Sequence, residues 1–420
     1  MLSSMDEPIP SPDRIVKPIV LTRDIHSISR KNIDPDALKV LYRLNRLGFT
    51  AYLCGGAVRD LMLGKTPTDF DIATDARPGQ IKKRFANVFV IGRRFRLAHV
   101  HFHDGKIIEV ATFRRDPKPG EESAAETGPG TASDPARLYG TPQEDAFRRD
   151  ITINALYYDP ITFSVIDYVG GLEDLARRRI RIIGDPEERY AEDPVRIWRV
   201  LRHAARLGFD IEESTERTIH THGPLLAKAP GARLYEELNK DLANETRSVI
   251  EALRRYCLLK HILGKVGEDY ESDYGLFTKL IYLLDIEKRT RQAGCLLSLE
   301  ETYALFFWPW MEPLFTDKGE DISQVLGDAF AGAKIQTTLP RALRTDVIQI
   351  LIILEHMLRA LRSGRMRWSL RKRVHFLQAS RLCFLIDQGR APQEGESFES
   401  LYRQAFPSAP LSGRRRRRRR

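Results

Sequence analysis

The sequence predicts an α+β protein, a small mixed-sheet head followed by an all-helical neck and body. Three observations lead there. Up to about residue 184, short alternating apolar stretches are interleaved with short helical patterns. From Pro186 onward the alternation mostly disappears and apolar residues recur at helical spacing. Between them, residues 116–143 are rich in Pro, Gly, Ser, Glu and Ala, the composition of a flexible surface loop.

Taken in order, residues 1–33 are polar and proline-rich, an arm expected to be only partly ordered. Pro35 to Leu47 has helical periodicity with Leu38, Leu41, Tyr42 and Leu44 on one face. Phe49 to Cys54 reads as a strand, Ala57 to Leu63 as a helix stopped by Gly64, and Asp69 to Ile72 as a second strand. A short helix at Pro78 to Phe85 and a strand at Val88 to Ile91 follow. Leu97 to Phe102 and Lys106 to Phe113 alternate like paired strands turning at Asp104-Gly105. Order resumes over Phe147 to Tyr158, with a strand near Ser164 to Tyr168. Helical patterns then cover Pro194 to Leu207, Ser248 to Leu259, Tyr274 to Leu284, Thr345 to Leu361 and Ser369 to Leu385. The expected division is an arm at 1–33, a head at 34–184, a helical neck at 185–250, a helical body at 251–395 and a disordered basic tail at 396–420.

At 420 residues the chain exceeds a single core, so two or three domains are expected. Arg414 to Arg420 carry seven of the ten net positive charges, leaving +3 on the rest. Such a tail fits a polyanionic partner such as nucleic acid, or a merely solubilising end. Four scattered cysteines, with no C-x-x-C, point to neither zinc nor disulfides and fit a reducing cytoplasm. The N-terminus lacks the charge and apolar run of a signal peptide. The apolar run Val347 to Leu354 is too short to cross a bilayer, so no membrane insertion is expected.

The chemistry centres on P-T-D-F-D-I-A-T, Pro67 to Thr74. On a strand, Asp69 and Asp71 share a face. Adjacent carboxylates repel, and a hard divalent cation, Mg²⁺ above all, relieves the repulsion. Glu109 in K-I-I-E-V-A-T-F could add a third carboxylate. Two metals on such a trio can activate a hydroxyl and stabilise a leaving pyrophosphate. Alone, D-x-D is a weak signal and better fits a solvated acidic turn. The preceding C-G-G-A-V-R-D adds specificity: Gly55 and Gly56 let backbone N–H groups approach phosphate oxygens, and Arg59 could hold a triphosphate.

G-G-A-V-R-D…D-F-D resembles the nucleotidyltransferase superfamily that contains DNA polymerase beta, and within it the class II branch of bacterial poly(A) polymerases and CCA-adding enzymes. R-R-D-I-T-I-N-A-L-Y-Y (Arg148 to Tyr158) resembles the family's second motif, which contacts ribose and the primer end; V-G-G-L-E-D-L (Val169 to Leu175) resembles its turn into the neck. Y-A-E-D-P-V-R-I-W-R-V-L-R (Tyr190 to Arg202) resembles its nucleotide-selecting helix. The resemblance spans roughly residues 23–230. It implies that Asp69 and Asp71 hold Mg²⁺, that Glu109 and Asp150 are further carboxylates, and that Arg149 contacts nucleotide. It also implies that Asp193 and Arg196 read the base edge while Arg199 and Arg202 reach the triphosphate. Val195, Trp198, Leu201 and Ala205 form the expected buried face of that helix. Trp198 and His203 stand where the family commonly has a smaller apolar residue and phenylalanine.

V-I-G-R-R-F-R-L-A-H-V-H-F (Val90 to Phe102) and the arm resemble the poly(A) polymerase branch, with Arg93, Arg94 and Arg96 facing RNA or nucleotide phosphate. The implied activity is transfer of AMP from ATP to RNA 3′ ends by a cytoplasmic enzyme expected to be a monomer; a CCA-adding enzyme and a catalytically inactive RNA-binding protein are the alternatives. His99, His101 and His103 alternate on one expected strand and could bind zinc, although ordinary hydrogen-bonded strand histidines account for them. Arg362 to Arg373 interleaves basic residues with Trp368, fitting either RNA stacking or a packed basic helix.

Overall fold

The computed structural model describes residues 17–92, 96–116, 138–244, 246–315, 322–363 and 368–392. It divides into two compact units, residues 1–222 and 223–420.

The first unit is built on an eight-stranded mixed sheet in the order β1-β8-β7-β2-β3-β6-β5-β4. Its strands are β1 (Ile19–Leu21), β2 (Ala51–Cys54), β3 (Asp71–Thr74), β4 (Val88–Ile91), β5 (Leu97–His101), β6 (Ile107–Thr112), β7 (Leu156–Asp159) and β8 (Ser164–Asp167). All neighbours are antiparallel except β3 and β6. The arm is therefore more than an appendage, because β1 pairs with β8 at the sheet edge. Two further short strands, β9 (Arg179–Ile180) and β10 (Asp210–Ile211), pair in parallel.

Helices α1 (Pro35–Arg46), α2 (Gly56–Met62), α3 (Pro78–Arg84), α4 (Pro142–Phe147), α5 (Gly171–Ala176), α6 (Pro186–Glu192), α7 (Val195–Leu207) and α8 (Glu213–His222) complete the unit. Asp34 caps α1 by accepting from the N–H groups of Asp36 and Ala37, with Pro35 at the first turn where its missing N–H costs nothing. The buried stripe of α1 is Ala37, Val40, Leu41 and Leu44. Leu38 and Tyr42, expected on that face, lie half-buried at its edge. One face of the sheet carries an apolar cluster of Cys54, Ala73, Phe113, Phe147, Ala155, Tyr157, Ile166 and Val169.

The second unit is helical throughout its described residues: α9 (Gly231–Leu242), α10 (Thr246–Arg255), α11 (Leu259–Leu263), α12 (Lys265–Ser272), α13 (Tyr274–Gln292), α14 (Leu299–Met311), α15 (Ile322–Gly332), α16 (Arg341–Ser363) and α17 (Phe376–Gln388). From Thr302 to Met311 α14 is buried on nearly every side, with Trp310 half-buried, and accordingly its sequence there is largely apolar. It starts at a reciprocal cap between Ser298 and Glu301. The Ser369 to Leu385 helix is shorter than expected: a 3₁₀ turn covers Trp368–Lys372 and α17 begins at Phe376. No described helix is long and apolar enough to cross a membrane.

Candidate active site

The antiparallel register pairs Cys54 with Asp71, and the parallel register pairs Ile72 with Val110. Cross-strand partners share a face, so Asp71 and Glu109 project on the same side as Cys54. Asp69, which its spacing placed on the strand with Asp71, instead lies before β3 begins. Its ladder would continue past Cys54, but there the chain leaves the sheet at Gly55 with φ +72. Asp69 nevertheless reaches Asp71 electrostatically from the preceding loop. Partial desolvation, then Glu109 and Asp69, push the Asp71 carboxyl up to about 6, against the opposing pull of Arg149, although Asp71 keeps a solvent face. Among the described residues, no cluster of three His, Cys, Asp or Glu side chains is closed into a metal cage. The donor chemistry still fits a hard dication: oxygen ligands only, crowded like charges, and solvent access.

The glycine turn is packed against two guanidinium groups. A Cβ on Gly55 would come to 3.2 Å from Arg149 Nη1, and one on Gly56 to 3.4 Å from Arg59 Nη2. Arg59 is buried; its Nε donates to Asp60 at 2.8 Å and its Nη1 to Asn154 Oδ1 at 2.6 Å. Arg149 Nη1 donates to the Asn154 carbonyl at 3.1 Å, and Arg149 lies 5.3 Å over the Tyr157 ring. Both guanidinium groups are thereby fixed at the end of β2.

Asp193 and Arg196 do not share a helix. Pro194 intervenes, Asp193 is extended at the end of α6, and its Oδ1 accepts from the Val195 N–H at the start of α7. Arg196 donates from Nε to Asp150 at 3.2 Å, and from Nη1 to the Arg189 carbonyl and Glu192, each at 2.8 Å. Arg199 Nη1 lies 2.6 Å from the other Asp150 oxygen. Asp150 is thus drawn to the α7 arginines rather than into the Asp69–Asp71–Glu109 group. The buried face of α7 is Val195, Ile197, Trp198, Val200, Leu201 and Arg202; Ala205, expected there, is half-buried.

Desolvation, then Arg59, Arg199, Arg202 and Arg206, hold His203 well below the usual imidazole range. It is therefore neutral at pH 7, and its Nε2 lies 3.2 Å from Asn154 Nδ2, which serves as the donor.

The remaining sequence features resolve differently. Arg93 and Arg94 lie outside the described residues; Arg96 is exposed and its carbonyl accepts from Arg114 Nη2 at 3.3 Å. His103 sits in a 3₁₀ turn, off the strand, so the three histidines do not line one face. His99 Nε2 lies 3.1 Å from Glu109, and the His101 ring packs edge-on against Phe89 at 4.9 Å. In V-G-G-L-E-D-L, a Cβ on Gly171 would meet the Thr152 carbonyl at 2.3 Å. Asp174 there receives Arg179 and Arg181, each at 2.8 Å, and the Thr152 hydroxyl at 2.7 Å. That motif fastens the second-motif turn to the sheet. The Arg362–Arg373 segment is described only in part, and its basic helix expectation falls partly outside the described residues.

This geometry has known counterparts. A profile described as Poly A polymerase head domain matches residues 51–181, and one described as Probable RNA and SrmB- binding site of polymerase A matches residues 208–267. The chain is 37% identical over 412 residues to Poly(A) polymerase I of Salmonella typhimurium, covering 93% of this chain and 86% of that protein. The chain belongs to the family of poly(A) polymerases and CCA-adding enzymes. It is a nucleotidyltransferase. A CCA-adding enzyme of Bacillus pumilus is 33% identical over 273 residues, covering 64% of this chain and 65% of that one. The crystal structure of the Bacillus stearothermophilus CCA-adding enzyme in complex with CTP superposes with a TM-score of 0.60 at 27% identity, covering 90% of this chain and 83% of that one.

Three residues of this candidate site escape notice in the sequence. Asp145 is buried and accepts from Arg148 Nη2 at 2.6 Å, Arg149 Nη2 at 3.1 Å, the Tyr157 hydroxyl at 2.8 Å and the Arg114 N–H at 3.1 Å. Burial raises its pKa, but Arg149 and Arg148 more than offset this and hold it below the usual carboxylate range. Asn154 joins Arg59, Arg149 and His203. Arg189 donates to the carbonyls of Arg148 and Arg149 at 3.0 and 3.2 Å. The signal available for Asp145 was an acid three and four residues before an arginine pair; Asn154 and Arg189 carried none, because their partners are distant in sequence.

Proposed function

We propose that this enzyme adds AMP from ATP to RNA 3′ ends, releasing pyrophosphate. The observation that carries the reading is the carboxylate edge of Asp69, Asp71 and Glu109 beside a glycine turn gripped by Arg59 and Arg149. The RNA 3′-hydroxyl attacks the α-phosphate, forming a new P–O bond as the bond to pyrophosphate breaks. Asp69 and Asp71 would hold Mg²⁺, which in a two-metal arrangement supplies charge neutralisation for the attacking and leaving oxygens. Glu109 takes up the proton of the attacking hydroxyl. Arg59 and Arg149 face the triphosphate, and Arg199 and Arg202 extend that positive edge. Arg196 donates to the base while Asp150 and Glu192 fix its plane. Asp193 supplies the acceptor beside it.

ATP alone is favoured over CTP plus ATP by the Arg93-Arg94-Arg96 segment, which resembles the poly(A) polymerase branch, and by identity extending over nearly the whole chain. The second reading, CCA addition to tRNA, is supported by similarity to enzymes of that name at comparable identity. Purified protein given unstructured RNA or a tRNA lacking its 3′ end, with each NTP separately, decides between them. Long A tracts on the unstructured RNA are expected. A single stop after C-C-A on the tRNA would overturn the proposal.

A further inference from the structure

The two faces of the sheet carry different chemistry. Tyr157 pairs with Cys54 and shares the face of Asp71, whereas Tyr158 pairs with Leu53 and points to the other. On that second face lies a cleft of about 600 Å³, within the size range of small-ligand sites. It is lined by Arg23, Arg30, Lys31, Tyr42, Tyr158 and Phe163, together with Ile28, Ser29 and Leu38. No carboxylate is among these lining residues.

Its construction is specific. Arg30 lies 4.6 Å over the Phe163 ring, and its Nη1 donates to the Tyr42 hydroxyl at 2.9 Å. Phe163 adopts φ 55, a conformation a bulky side chain rarely takes, and His26 Nε2 holds its carbonyl at 2.8 Å. Tyr158 is fully buried, yet its hydroxyl has no hydrogen-bond partner. Orphaned buried hydroxyls are costly and call for a partner. Arg30 and Lys31 are exposed, so their charge is available to a ligand.

Aromatic rings, a planar guanidinium, an orphan hydroxyl and three cations with no carboxylate among the lining residues together match a nucleoside phosphate: a base that stacks and hydrogen-bonds, and a phosphate that needs positive charge. We propose that this cleft is a second RNA site, remote from the carboxylates, that holds one nucleotide of a single strand. A strand is favoured over a free nucleotide because the cleft is open and three cations, Arg23, Arg30 and Lys31, line it, more positive charge than one phosphate needs. The choice of RNA rests on the reading of the chain as an RNA-extending enzyme.

The test uses the full chain and a labelled oligoadenylate 12-mer. Arg30→Gln combined with Lys31→Gln, both exposed positions, is expected to weaken binding about tenfold and to flatten the log-affinity against log-salt slope by about 1 to 2. Tyr158→Phe keeps the ring and is expected to weaken binding about threefold. Ultraviolet cross-links should map to the peptide holding Tyr158 and Phe163. Wild-type affinity and slope in the double variant would overturn the proposal. So would loss of ATP binding with RNA affinity unchanged, which would assign the cleft to a free nucleotide. Extension of a saturating short primer, measured separately, reports on the catalytic reading and is expected to stay at the wild-type rate in the double variant.

Discussion

Asp71 is destabilising in its surroundings, since burial first, and then its neighbours Glu109 and Asp69, oppose its charge. A carboxyl raised from 3.8 to about 6 favours the folded state when protonated, so its penalty grows as pH rises from 3.8 through 6 and is complete above that. Asp71→Asn should therefore abolish extension yet stabilise chelator-treated protein at pH 8, by roughly 1 kcal/mol once solvent screening is allowed for. Urea melts in EDTA would show it; an unchanged or lowered midpoint contradicts the charge penalty from burial and repulsion. Asp145 has the opposite character, a buried anion that two guanidinium groups and a phenol depend upon. Asp145→Ala should cost about 3–5 kcal/mol by leaving those charges unpaired, and a loss below 1 kcal/mol in denaturant titration would refute that account. His203 behaves differently again. Its folded pKa lies below the unfolded value, so stability is full above about 6.5 and falls on acidification, by about 1.4 kcal/mol per pH unit for one group. His203→Gln should remove that slope between pH 6.5 and 5.5.

The turns are the elements that aim these residues. Gly55 combines φ 72 and ψ −138, where only glycine is comfortable, with a guanidinium 3.2 Å from the place a Cβ would occupy. Gly55→Ala should cost about 1–3 kcal/mol and raise KM for ATP by displacing Arg149; a variant with wild-type stability and KM would show that the turn tolerates a side chain. The break at Pro194 is equally consequential. It separates α6 from α7, so that Asp193 caps the second helix while Arg196 turns toward Glu192, Asp150 and the Arg189 carbonyl. The strand at Val88–Ile91 was legible in the sequence, as were the starts of α1 at Pro35, α3 at Pro78 and α13 at Tyr274. The end of β3 was not, because a strand extends only as far as its partner does, and its partner leaves the sheet at Gly55.

For the whole molecule, the charge concentrated in Arg414 to Arg420 is a sequence property with a measurable consequence. Removing it should flatten the salt dependence of RNA affinity by about 0.7 for each arginine that meets a phosphate, and an unaltered slope would show the tail to be a bystander. The sequence alone determined the α+β head and helical remainder, the family, and the pairing of D-x-D with a glycine turn, because periodicity and short motifs are local. Tertiary structure decided what those residues do to one another. Asp150 joined the arginines of α7, His103 left its strand, and Asp145, Asn154 and Arg189 became the supports of Arg59, Arg148 and Arg149. Burial, charge pairing and facing direction depend on groups separated by tens of residues, and only packing brings these together.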